Sequence, residues 1–165
     1  MGNGTPSSKP EYPPLLAVGF HELSLAELRR LCVEPFPLSK TRGKLADEFE
    51  KVAERVRAVN LVCDFWVNGS FLTKKIGPSD VDFIVRFDGA VIDAANDEQN
   101  AVIDFLQSDL SSIGCHSFVH VEFPKGHSQH WVGVWMQAYW LKQWGFARDE
   151  EMKGIAVIKI LGATA

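Results

Sequence analysis

Two carboxylates one residue apart, Asp80 and Asp82, open a run that is otherwise apolar, SDVDFIVRF. Its β-branched and aromatic residues predict a strand from Asp80 to Phe87, with Asp80, Asp82 and Ile84 on one face and Val81, Phe83 and Val85 on the other. A charge in a strand core is costly unless something pairs with it, and two like charges on one face are costlier still. The usual resolution is a bound cation. Carboxylates about 6.5–7 Å apart along a backbone converge on one hard cation or clamp two cations about 3.5–4 Å apart, as in two-metal phosphoryl transfer.

What precedes the pair sharpens this. VCDFWVNG predicts another strand, closed by Asn68 and Gly69, and Ser70 to about Lys75 starts a short helical turn stopped by Gly77 and Pro78. Backbone N–H groups at such a junction, with no side chain on Gly69, suit a phosphate, and the Ser70 hydroxyl adds a donor. Lys75 lies between this turn and the carboxylates, where its ammonium reaches a β- or γ-phosphate or simply faces solvent. One loop thus holds an anion while one strand holds the cation that neutralises it.

The rest of the chain supplies a scaffold. Residues 1–14, rich in Pro, Gly and Ser, read as a flexible leader without a signal peptide, and residues 15–165 as a single domain. Ser24 and Glu27 form a capping box ahead of a short helix ended by Pro35 and Pro37. A longer helix from about Thr41 to Val59 carries Leu45, Phe49, Val52, Val56 and Val59 as its apolar stripe. A third helix is predicted between Asp93 and Ser112, ended by Gly114, with Val102, Phe105, Leu106, Leu110 and Ile113 inward. CHSFVHVEFP predicts a strand, Ser128–Trp144 a helix, and GIAVIKIL a last strand. The order α-α-β-α-β-α-β-α-β implies an α+β fold, a small mixed sheet with helices packed against it.

Composition excludes several classes. A formal net charge of −4 argues against non-specific coating of nucleic acid. The basic cluster Lys40, Arg42 and Lys44 reads as a solvated loop. No apolar run approaches the roughly 20 residues of a membrane span. Cys32, Cys63 and Cys115 are odd in number and widely spaced, which predicts reduced thiols in a cytoplasmic protein. His116, His127 and His130 form no zinc spacing with a cysteine. Trp131, Trp135, Tyr139, Trp140 and Trp144 recur at helical spacing, which predicts core packing, with stacking on a base as the alternative.

The combination of Gly-Ser, a nine-residue spacer and Asp-x-Asp in GSFLTKKIGPSDVD resembles the signature of the DNA polymerase β nucleotidyltransferase superfamily. More narrowly, it is similar to short bacterial members reading G-S-F-[VL]-T-x-K-x-x-P-x-D-[IV]-D. Gly69, Ser70, Phe71, Leu72, Thr73, Lys75, Pro78, Asp80, Val81 and Asp82 all match. GFHELSLAEL, FPLSKTR and WGFARDEEMKGIAVIKI look like that group's flanking segments. The resemblance implies a minimal, palm-like nucleotidyltransferase fold with a three-carboxylate Mg²⁺ (or Mn²⁺) site. It also implies transfer of a nucleoside monophosphate from an NTP to a hydroxyl of an RNA or tRNA end, a protein side chain or a small molecule. The third acid would come from a neighbouring strand. The only acid in the CHSFVHVEF strand is Glu122, a departure from the usual Asp, with His120 on the same face as the alternative ligand. Metal would then sit on Asp80, Asp82 and Glu122, and the triphosphate on Gly69, Ser70 and Lys75. The same resemblance implies a second class of role, a binding partner in a bacterial toxin–antitoxin or phage-defence pair.

Overall fold

The structure, a computed structural model, describes residues 10–147 and 150–162. Strand β1 (Gly19–Glu22) leads directly into α1 (Leu25–Cys32), whose start is fixed by the reciprocal Ser24–Glu27 capping box. The amphipathic α2 (Arg42–Ala58) buries Leu45, Phe49, Val52 and Val56. Then come β2 (Cys63–Asn68), a 3₁₀ turn at Ser70–Leu72, and β3 (Val81–Asp88). A short helix that the sequence reading lacks, α3 (Gly89–Asp93), comes next, and the helix predicted between Asp93 and Ser112 follows as the shorter α4 (Asp97–Gln107). Asn96 starts α4: its side chain accepts from the Gln99 N–H while the Gln99 side chain accepts from the Asn96 N–H, a second capping box. Gly114 closes a separate 3₁₀ turn at Ser111–Ile113 rather than this helix. The chain continues through β4 (Cys115–Glu122), α5 (His130–Gly145) and β5 (Gly154–Ile160).

The strands form one mixed sheet in the order β1-β5-β2-β3-β4. Strand β2 runs antiparallel to both β3 and β5, whereas β3–β4 and β1–β5 are parallel. The fold is therefore mixed α+β. One face of the sheet packs on α1, α2 and α4 around Phe49, Phe65 and Phe83, whose rings lie 5.1–5.7 Å apart. The other face is covered by α5, which packs Trp140 and Trp144 on Trp66, Ile84, Ile155 and Val157. The core expectation for the α5 aromatics thus holds for only part of the set. Trp140 is buried and Trp144 half-buried, while Trp131 and Trp135 are 71 % and 78 % exposed and Tyr139 is exposed as well.

Strand β1 escapes the sequence reading, because four largely exposed residues at a sheet edge carry no alternating signature. Of the N-terminal leader, residues 1–9 lie outside the described residues. Pro13 and Pro14 run against the loop after the 3₁₀ turn, with the Lys74 N–H donating to the Pro13 carbonyl. No helix among the described residues is long and apolar enough to cross a membrane.

Candidate metal centre

Asp80 immediately precedes β3 and Asp82 is its second residue, so both stand at the end of the sheet where β2 leaves for the 3₁₀ turn. Their side chains are 24 % and 28 % exposed. Burial, reinforced by the Asp80 charge, pushes the Asp82 carboxyl above its ordinary value, and His116 and Lys153 pull the other way. The second residue of β4, His116, completes the cluster. Its Nδ1 lies 3.3 Å from Asp82 Oδ1 and 3.6 Å from Asp80 Oδ2. One ligand atom from each of the three residues falls within 4.8 Å of the others, the compactness one cation requires.

Glu122 does not join them. The β3–β4 ladder aligns Asp82 with His116, Arg86 with His120 and Asp88 with Glu122. Glu122 therefore shares a face with Asp82 but stands six residues further along, about 20 Å at the rise of a strand. Its carboxylate is ion-paired with the Arg86 guanidinium, which lies 4.1 Å over the Trp66 ring and 3.8 Å from Asp64. His120 is excluded as a ligand for the same reason, four residues along and buried. The expected third ligand is corrected accordingly. A strand–helix–strand crossover through α4 enforces parallel pairing, so the two N-terminal strand ends meet. That rule applied to the sequence finds His116.

The anion half of the site is built more tightly than the sequence implies. Gly69 has φ 75° and packs its α-carbon on Asp82, where an added methyl would lie 2.1 Å from Oδ2. Only glycine combines that backbone with that approach. The Gly69 N–H, expected to be free for phosphate, already donates to Asn68 Oδ1 at 2.8 Å. Asn68 is buried, pairs in register with Asp82, and donates to the carbonyls of Trp144 and Gly154. Its place before Gly69 marks only a turn in the sequence, but in the fold it joins β2, β5 and the end of α5 to the loop. The Ser70 hydroxyl has no partner among the described residues. Thr73 holds the turn by donating to the Ser70 carbonyl at 2.8 Å and accepting from the Lys75 N–H at 3.3 Å.

Arg42 is the other residue whose role the sequence conceals. It is fully buried, not solvated, and donates to the carbonyls of Cys32, Phe71, Thr73 and Lys75 over 2.5–3.1 Å, with its guanidinium 3.8 Å over the Phe36 ring. A single side chain thereby satisfies the carbonyls of the loop that carries Ser70 and Lys75 and ties it to the end of α1.

These parts line one cleft of about 810 Å³, with Gly69, Ser70, Asp80, Asp82 and His116 on its floor and Lys75, Lys142 and Lys153 around it beside Glu11 and Glu150. A volume of this size accommodates a nucleotide. The donor set fits a divalent cation, and the lysines suit the charge of a polyphosphate.

No curated protein and no solved structure gives a significant match to the chain. A family model described as a family of unknown function, DUF6932, matches residues 9–159, and the chain belongs to that family.

Proposed function

We propose that the protein is a divalent-metal-dependent nucleotidyltransferase that moves a nucleoside monophosphate from an NTP to a hydroxyl acceptor. The observation that carries this reading is the convergence of Asp80, Asp82 and His116 beside the Gly69–Ser70 turn in one cleft that three lysines border. Asp80, Asp82 and His116 would hold the cation, which when bound neutralises the triphosphate and polarises the α-phosphate. Ser70 donates its hydroxyl to a phosphate oxygen, while Lys75, Lys142 and Lys153 offset the remaining charge. The acceptor oxygen attacks the α-phosphorus, the bond to the β-phosphate breaks, pyrophosphate leaves, and the hydroxyl proton passes to a basic oxygen or to water. Such chemistry depends mainly on positioning and charge neutralisation, which rigid strands supply. RNA or tRNA ends, protein side chains and small molecules all remain acceptor classes. Buried, unpaired Cys32, Cys63 and Cys115 suit a reducing cytoplasm.

The test is incubation with each NTP labelled at the α-phosphate, with Mg²⁺ or Mn²⁺ and a cell extract as acceptor source. Label should appear in one acceptor class, vanish with Asp82→Asn and persist with Glu122→Gln. Absence of label with all NTPs, acceptors and both metals would refute the enzymatic reading. A second reading, a binding partner in a toxin–antitoxin or phage-defence pair, draws support from the exposed Trp131, Trp135 and Tyr139 on α5. Stable copurification with a product of an adjacent gene, lost on Trp135→Lys, would favour it.

A further inference from the structure

We propose that His116 makes this centre selective for a first-row transition dication, with Mn²⁺ as the working case, over Mg²⁺. The inference rests on the reading of the cleft as a divalent-metal site and adds which metal that site takes.

The geometry comes first. His116 and Asp82 are register partners on adjacent parallel strands, so their separation is fixed by the sheet and not by a mobile loop. The contacts from Nδ1 to the two carboxylate oxygens, 3.3 and 3.6 Å, are long for an N–H···O bond. They lie nearer the edge of an octahedron, about 3 Å at ordinary hard-cation bond lengths. Close packing of Gly69 on Asp82 leaves that carboxylate little freedom to swing away. The result is a triangle of two oxygens and one nitrogen on the floor of the cleft, with room opposite for phosphate oxygens and water.

The chemistry follows from the nitrogen. Mg²⁺ binds through charge to oxygen donors and gives up water reluctantly, so an imidazole adds little to its affinity. Three carboxylates would offer it three negative charges, whereas this triangle offers two. First-row transition dications gain bond strength from an imidazole, Mn²⁺ least and its later neighbours more, while still accepting carboxylate and phosphate oxygens. Glu122, the one acid on β4, is ion-paired with Arg86 and cannot restore the missing charge.

The experiment is calorimetric titration of the full chain with MnCl₂ and with MgCl₂, for wild type, His116→Asp and His116→Asn, alone and with a non-hydrolysable NTP analogue. The ratio of Mn²⁺ to Mg²⁺ affinity should fall roughly tenfold in His116→Asp and fall also in His116→Asn, which removes the imidazole without adding charge. Electron spin echo spectra of the Mn²⁺ complex should show modulation from a coordinated nitrogen in wild type and lose it in both variants. An unchanged ratio, or a Mn²⁺ complex without nitrogen modulation, overturns the role of His116 while leaving the metal site standing. Failure of wild type to bind either ion, with or without the analogue, overturns the metal-site reading and this inference together.

Discussion

Gly69 and Asp82 touch across the β2–β3 boundary so closely that a methyl group on Gly69 would sit 2.1 Å from Asp82 Oδ2 and 2.9 Å from its carboxyl carbon. Backbone conformation adds to the restriction, since φ is 75° there. Gly69→Ala should cost about 1–3 kcal/mol in strain and turn the Asp82 carboxylate out of the cluster. Urea denaturation and a Mn²⁺ titration on one preparation measure both effects. Unchanged Mn²⁺ affinity would mean that Asp82 has freedom the packing denies it.

Asp82 carries its charge at a cost in the metal-free protein, because burial and then the Asp80 charge raise its carboxyl above the ordinary 3.8. Asp82→Asn should therefore melt at or above the wild-type temperature without metal. Added Mn²⁺ should raise the melting temperature of wild type and leave that of the variant unmoved, since only a species that binds the folded state stabilises it. A metal-free variant that melts several degrees below wild type would instead assign Asp82 a structural pairing.

Arg42 serves four carbonyls from one guanidinium, and no lysine can reach all of them. Leaving buried acceptors unpaired should make Arg42→Lys less stable by about 3 kcal/mol or more. Equilibrium unfolding in urea measures this, and a loss under about 1 kcal/mol would show that water replaces the lost bonds.

His120 is buried, its Nε2 has no hydrogen-bond partner among the described residues, and burial pushes its imidazole below the ordinary 6.5. Arg86 lowers it further, and Glu122, 3.9 Å away, acts against both. Below pH 6.5 the unfolded chain takes up a proton that the folded chain still refuses, so acidification removes stability until the depressed native value is passed. Denaturation at several pH values between about 5 and 7 should show this decline in wild type and a flatter profile in His120→Asn. Identical slopes would mean that His120 protonates freely in the fold.

How much of this the sequence discloses depends on whether a residue's partners are local. Helix α2 is legible because burial imposes a period along it, strands β2 and β3 because they are runs of β-branched and aromatic residues, and the Ser24–Glu27 box because its partners are three residues apart. The start of α4 is written in Asn96 and Gln99, the same kind of signal, whereas the five-residue α3 is too short to show a period. Asp80, Asp82, Gly69 and Ser70 come together as their spacing implies, because one hairpin-like connection brings them there. The third ligand depends on strand direction, which composition does not encode, and reading β4 without its parallel pairing favours Glu122 over His116. Arg42 is illegible for a deeper reason. Its partners are backbone carbonyls, which every residue has.

The cleft joins elements of unequal anchorage. Its floor belongs to β2, β3 and β4 in the middle of the sheet, whereas Lys142, Gln143 and Phe146 come from the end of α5 and the residue that follows it. That helix rests on the sheet chiefly through Trp140 and Trp144, whose buried indole N–H groups have no partner among the described residues. Amide hydrogen exchange should separate the two, with α5 exchanging through local opening while β3 waits for global unfolding. The floor of the cleft and the helix end that borders it then answer to different free energies. Substitutions that loosen α5 would alter how fast ligands come and go without disturbing the strands beneath.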